Sequence, residues 1–105
     1  METLNFEYRG GKPVAGSTPS TLVGVVGSGN LEVLVERQDL AGACKVEVLT
    51  AATGFGPIWQ AVMDDFFDRH PLADIRISIN DVGATPAVVS LRLDQAVESF
   101  LGGRS

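Results

Sequence analysis

Basic residues are scarce in this chain. Its 105 residues hold 8 Lys and Arg against 13 Asp and Glu, a formal charge of −5. No run of basic residues overrides that balance, which argues against a nucleic-acid backbone as partner. Docking onto basic protein surfaces is compatible with it. Cysteine and histidine occur once each, as Cys44 and His70. One cysteine excludes an internal disulfide. The pair also falls short of the about four ligands of a structural zinc site, so no metal site is expected. No apolar run approaches the roughly 18 residues needed to span a bilayer. The start, Met1-Glu2-Thr3-Leu4-Asn5-Phe6-Glu7, is acidic and alternating, whereas a signal peptide needs a basic start and an apolar stretch. The expectation is a cytoplasmic protein without direct membrane contact.

Catalytic constellations are equally thin. There is no P-loop pattern and no His-Glu-x-x-His motif. Cys44 falls at the start of a strand pattern and reads as a small packing residue. His70 precedes Pro71 at a helix C-terminus, where the helix dipole favours a cation. Asp64 and Asp65 are adjacent, so they point in different directions round a helix and read as a solvated face. A Ser-His-Asp triad can be assembled from distant residues. Its nucleophile usually sits at a strand-to-helix turn, however, and the best-placed serine here joins strand to strand. No catalytic residue is assigned.

What is present is a strong two-period and helical pattern. Hydrophobic residues make up 45% of the chain, enough for a core in one domain spanning 1–105. Leu4, Phe6 and Tyr8 alternate with polar neighbours as a first strand. Residues 10 to 20 are rich in Gly, Pro, Ser and Thr and read as a loop. Thr21–Val26 and Leu31–Glu36 read as strands, Gln38–Ala43 as a turn, and Cys44–Leu49 as a further strand. Pro57 suits a first helical position. Ile58, Val62 and Phe66 then form one ridge, and Trp59, Met63 and Phe67 the next, up to His70. Ile75, Ile77 and Ile79 mark another strand. Thr85 is a helix N-cap and Pro86 a first helical residue, with Val89, Leu93, Ala96 or Val97, and Phe100 at helical spacing and Gly102 at the C-terminal cap. The order predicts an α+β two-layer sandwich: a mostly antiparallel sheet of about four to five strands covered by two amphipathic helices.

Between two of these strands lies Val25-Val26-Gly27-Ser28-Gly29-Asn30-Leu31-Glu32-Val33. Gly and Asn accept positive φ cheaply, so the chain can reverse here as a hairpin. Ser28, between Gly27 and Gly29, would stand at the tip with no bulky neighbour. Two roles are open to such a hydroxyl without an activating base. It is a plain turn residue, or it is an acceptor for covalent modification.

Two stretches carry a resemblance. Val26-Gly27-Ser28-Gly29-Asn30-Leu31-Glu32-Val33-Leu34, with Asn80-Asp81-Val82-Gly83-Ala84-Thr85-Pro86-Ala87-Val88-Val89 and the Leu91-Arg92-Leu93 and Gln95-Ala96 that follow, resembles the acyl carrier (delta) subunits of malonate decarboxylase. The N-terminal stretch and the Trp-containing helix fit as well, so the resemblance covers essentially the whole chain. It implies that Ser28 carries, through a phosphodiester, a 2'-(5''-phosphoribosyl)-3'-dephospho-CoA whose thiol bears the acyl group. Gly27 and Gly29 would complete the attachment site. It implies a cycle in which the thiol is acetylated and acetyl is exchanged for malonyl. Carbon dioxide is then released and the acetyl thioester restored, so that malonate becomes acetate and CO2. The implied partners are the transferase (alpha) subunit, the decarboxylase (beta and gamma) subunits, a prosthetic-group transferase and a malonyl transferase. The chain itself would be a non-catalytic subunit of the complex.

This sequence departs from the family at Asn30, where an Asp commonly stands. Asn keeps the turn propensity and removes a carboxylate beside the future phosphate. Helical acyl carriers use an Asp-Ser-Leu, and biotinyl and lipoyl domains a tip lysine; neither occurs here. Two alternatives stand beside the malonate reading: the acyl carrier of a citrate-lyase-type complex, and a small interaction module with no prosthetic group. Asp81–Pro86 reads as a loop and helix cap, or as a docking surface or helix N-terminus close to a Ser28 phosphate.

Overall fold

The computed structural model describes residues 1–13, 20–23 and 31–100. The element order is β1 (Glu2–Tyr8), β2 (Lys12–Pro13), β3 (Ser20–Val23), β4 (Leu31–Arg37), β5 (Cys44–Thr50), α1 (Gly56–Arg69), β6 (Leu72–Ala73), β7 (Ile75–Asp81) and α2 (Pro86–Phe100). A five-stranded sheet runs β1-β5-β7-β4-β3, and β2 pairs with β6 as a separate ribbon. Within the five-stranded sheet pairing is antiparallel except between β5 and β7, which α1 joins as a parallel crossover; the β2–β6 ribbon is parallel as well. The expected α+β sandwich is thus the observed one. The β2 half of the β2–β6 ribbon falls in the stretch 10–20 expected as a loop, and β6 has no counterpart in the sequence pattern. The ribbon forms where Gly11 lies against the Leu72 backbone, too close for any Cβ (2.7 Å), and where the Lys12 amide donates to the Pro71 carbonyl at 2.8 Å.

Strand alternation decides which side is buried. Leu31, Val33 and Val35 of β4, Cys44, Val46 and Val48 of β5, and Ile75, Ile77 and Ile79 of β7 all face the helices and are buried. Against them α1 sets Trp59, Met63 and Phe66, and α2 sets Val89, Leu93, Ala96, Val97 and Phe100. This shared layer is the core. At about 25 cal/mol per Å² of apolar surface buried it is the main source of stability. The outer face of the sheet carries polar positions such as Asn5, Glu47, Arg76, Ser78 and Glu32, with Arg76 bonded to Glu47 at 3.0 Å.

The α1 pattern holds with one correction. Ile58, read as part of a core ridge, is 45% exposed. It lies in the first turn of the helix, at the rim of a recess between the two helix starts. Val62 and Phe67 are half-buried, and Phe67 stacks on Tyr8 with ring centroids 5.0 Å apart.

Candidate functional site

The antiparallel register of β3 and β4 brackets the serine. Val23 pairs with Val33, and Ser28 is five residues from each in sequence. The β3–β4 pairing is therefore that of a hairpin, with Ser28 at the centre of the linking stretch. Gly27, Ser28, Gly29 and Asn30 themselves lie outside the described residues, as does Gly102.

What surrounds the foot of that stretch is described. Leu31, the first residue of β4, pairs with Asp81, the last residue of β7. Asp81 pairs in turn with Thr50, the last residue of β5. The strand ends of β5 and β7 and both helix starts thus meet at the end of the sheet where β3 finishes and β4 starts.

Asp81 organises this end. It is 4% exposed. Its Oδ2 accepts the Thr50 hydroxyl at 2.8 Å, and its Oδ1 accepts the amides of Gly83 (3.1 Å) and Ala84 (2.8 Å). Buried polar groups are tolerated when so satisfied. Gly83 has φ +129°, a conformation that side chains resist, and this lets the turn fold its amides back onto the carboxylate. Thr85 then caps α2: its Oγ1 accepts the Val88 amide at 3.3 Å, and its carbonyl accepts the Val89 amide at 3.0 Å. The expected cap and first-turn proline are both present. The buried carboxylate was missed, although period two continues through Ile75, Ile77, Ile79 to Asp81 and through Cys44, Val46, Val48 to Thr50.

Beside this loop, between the two helix starts, is a recess of about 270 Å³. Phe55, Ile58, Trp59, Val62, Pro86 and Val89 line it, with Asp81 and Ala84 at its polar edge. Phe55 is 47% exposed, and Val82, next in the chain to Asp81, is 62% exposed. Large apolar side chains thus remain open to solvent around it.

The rival candidates have structural roles. Cys44 is 1% exposed, and burial pushes its thiol up to about 11. It is inert packing in the core. His70 ends α1, and its Nε2 lies 3.0 Å from Asp94 Oδ1 of α2. Arg69 also bonds to Asp94 and, at 3.0 Å, to Asp65. Asp64 accepts the Tyr8 hydroxyl at 2.8 Å and stays exposed. No group of three or more His, Cys, Asp or Glu is arranged to hold a metal among the described residues. No helix there is long and apolar enough to cross a membrane.

Comparison with known proteins places this architecture. Residues 18–100 match the family model described as "Malonate decarboxylase delta subunit (MdcD)". A malonate decarboxylase acyl carrier protein of Xanthomonas euvesicatoria pv. vesicatoria (strain 85-10) is 65% identical over 102 residues, covering 97% of each chain. One of Burkholderia cepacia is 63% identical over 97 residues, covering 91% of this chain and 87% of that one. A chain in the crystal structure of a Pseudomonas malonate decarboxylase hetero-tetramer in complex with malonate superposes with a TM-score of 0.78 at 43% identity, covering 95% of this chain and 99% of that one. With four-fifths of its length matching the family model and near full-length relatives above 60% identity, the chain belongs to the malonate decarboxylase delta-subunit family, the acyl carrier proteins of that enzyme.

Proposed function

We propose that this chain is the non-catalytic carrier subunit of a malonate decarboxylase, holding acyl groups on a 2'-(5''-phosphoribosyl)-3'-dephospho-CoA joined to Ser28 by a phosphodiester. The observation that carries the reading is the β3–β4 register centred on Ser28, in a chain whose family is that of acyl carriers. When bound, the group supplies a thiol that forms thioesters; the chain supplies an anchor and a rigid base. The neighbourhood fits such a group. A serine hydroxyl between two glycines accepts a phosphodiester without steric conflict. The start of β4 is fixed by the Leu31–Asp81 pairing to a hydrogen-bonded turn, and the recess beside it is apolar, which suits an alkyl thioester. Gly27 and Gly29 keep the approach to the hydroxyl open. A tethered group meets successive active sites at high effective concentration. Those sites belong to a transferase (alpha) subunit, the decarboxylase (beta and gamma) subunits, a malonyl transferase and the prosthetic-group transferase. A cytoplasmic setting and a single carrier domain over 1–105 are part of the same reading.

The test is intact mass after coexpression with a matching prosthetic-group transferase. The wild type gains a mass equal to the group and Ser28→Ala gains none. An unmodified wild type, or a modified Ser28→Ala, overturns the proposal. The folded holo protein also shows one fast-reacting thiol where the apo protein shows none, because Cys44 is buried and protonated.

A further inference from the structure

The recess between the helix starts has no role in anchoring a group to Ser28, yet it lies at the anchor's end of the fold. Leu31 stands three residues after Ser28, a span of at most about 11 Å of extended chain. Leu31 pairs with Asp81, and Asp81 lines the recess. The prosthetic arm adds its own length to that span, so its thiol end reaches the recess from the hairpin.

The chemistry of the lining is selective. Phe55, Ile58, Trp59 and Val89 offer apolar contact. Asp81 is the acidic residue of the lining, and both its oxygens are committed to Thr50, Gly83 and Ala84. Helix N-termini ordinarily attract anions, but a proline in each first turn, Pro57 second in α1 and Pro86 first in α2, removes one N–H from each, and the Val88 amide is taken by Thr85. A neutral acyl end gains by burial here, whereas a second carboxylate would be placed in an apolar lining beside that of Asp81, whose donors are already taken.

Resting on the carrier reading above, we propose that this recess docks the acetyl-thioester end of the chain's own prosthetic arm and rejects the malonyl form. The acetyl form is therefore held against the carrier between turnovers, while the malonyl form swings free for delivery to a partner's active site. Burial of about one methyl-sized group favours the docked acetyl state about fourfold. Trp59, the single tryptophan, lines the recess and reports on occupancy.

The experiment prepares the full chain in its apo, free-thiol, acetyl and malonyl forms, each verified by intact mass. It then compares Trp59 emission and the methyl NMR signals of Ile58, Val62 and Val89. The acetyl form is expected to shift Trp59 and these methyls relative to the free thiol, and the malonyl form to leave them in place. Hydroxylamine is expected to cleave the acetyl thioester about fourfold faster when Ala84→Leu fills the recess. Ile58→Asp, at an exposed rim position that folding tolerates, abolishes the Trp59 shift as a second variant. A correctly loaded acetyl form with unchanged Trp59 and methyl signals overturns the docking while leaving the carrier reading intact, as does an equal shift in the malonyl form. Failure of Ser28 to load overturns both.

Discussion

At the end of the sheet where β5 and β7 start, charged side chains tie neighbouring elements together. Asp74, held at φ +59°, accepts the Gly42 amide at 2.8 Å and the Leu40 amide at 3.0 Å. Asp94 of α2 receives Arg69 and His70 from the end of α1. At the end where the same strands finish, the polar work is done by one buried carboxylate, Asp81, and the surface around it is apolar: Phe55, Ile58 and Val82 remain exposed. The first end looks like a closed surface of solvated ion pairs. The second combines a rigid hydrogen-bonded turn with unshielded apolar area, which soluble proteins keep mainly where something binds. It is also the end where β3 finishes and β4 starts, the strands that flank Ser28 in the sequence. Buried hydrogen bonding and apolar exposure are therefore concentrated at the end where the proposed anchor belongs, and ion pairing at the other.

Substitutions at the two ends should separate these roles. The largest effect is expected from Asp81→Ala, which strands two amides and a hydroxyl and costs roughly 3 kcal/mol; the urea midpoint falls with its slope unchanged. Thr50→Val removes one donor to the same carboxylate and costs about 1.5 kcal/mol in the same measurement. Thr85→Ala removes the α2 cap and costs about 1 kcal/mol. At the other end Asp94→Asn weakens contacts that are a third exposed to solvent and costs about 0.5 kcal/mol, an effect that shrinks as salt is added. Equal losses from Asp94→Asn and Asp81→Ala would erase the contrast.

A last difference is read in slope. The amides of Gly42 and Leu40 lower the Asp74 pKa. Its stabilisation is whole above the unfolded value of about 3.9 and fades as pH falls through the lower folded value. Asp74→Asn should flatten that acid decline in a pH series of urea midpoints and leave the slope above pH about 5 unchanged.

How much of this the sequence discloses depends on the range of the contact. Period two named β4, β5 and β7 almost to the residue, since one face of each is buried along its length. Pro57, Thr85 and Pro86 marked both helix starts because caps and first-turn prolines are local chemistry. Strand order is set by which hydrophobic faces meet across long separations, and no local signal encodes the insertion of β7 between β5 and β4. The recess was invisible for the same reason: Phe55 and Pro86 come together only when α1 and α2 dock. Ile58 misled because helical spacing reports a face and is silent about which turn of that face is covered. The glycine-flanked turn expected at Ser28 lies outside the described residues. The group proposed for it is chemistry brought from outside the chain, which no periodicity can name.

The central claim concerns one oxygen atom. Peptide mapping by tandem mass spectrometry of the chain isolated from an assembled, active malonate decarboxylase locates the adduct directly. The account predicts the prosthetic group on the peptide containing Gly27-Ser28-Gly29, at Ser28 and nowhere else. A group mapped to another residue, or an active complex whose carrier bears no adduct, would contradict it.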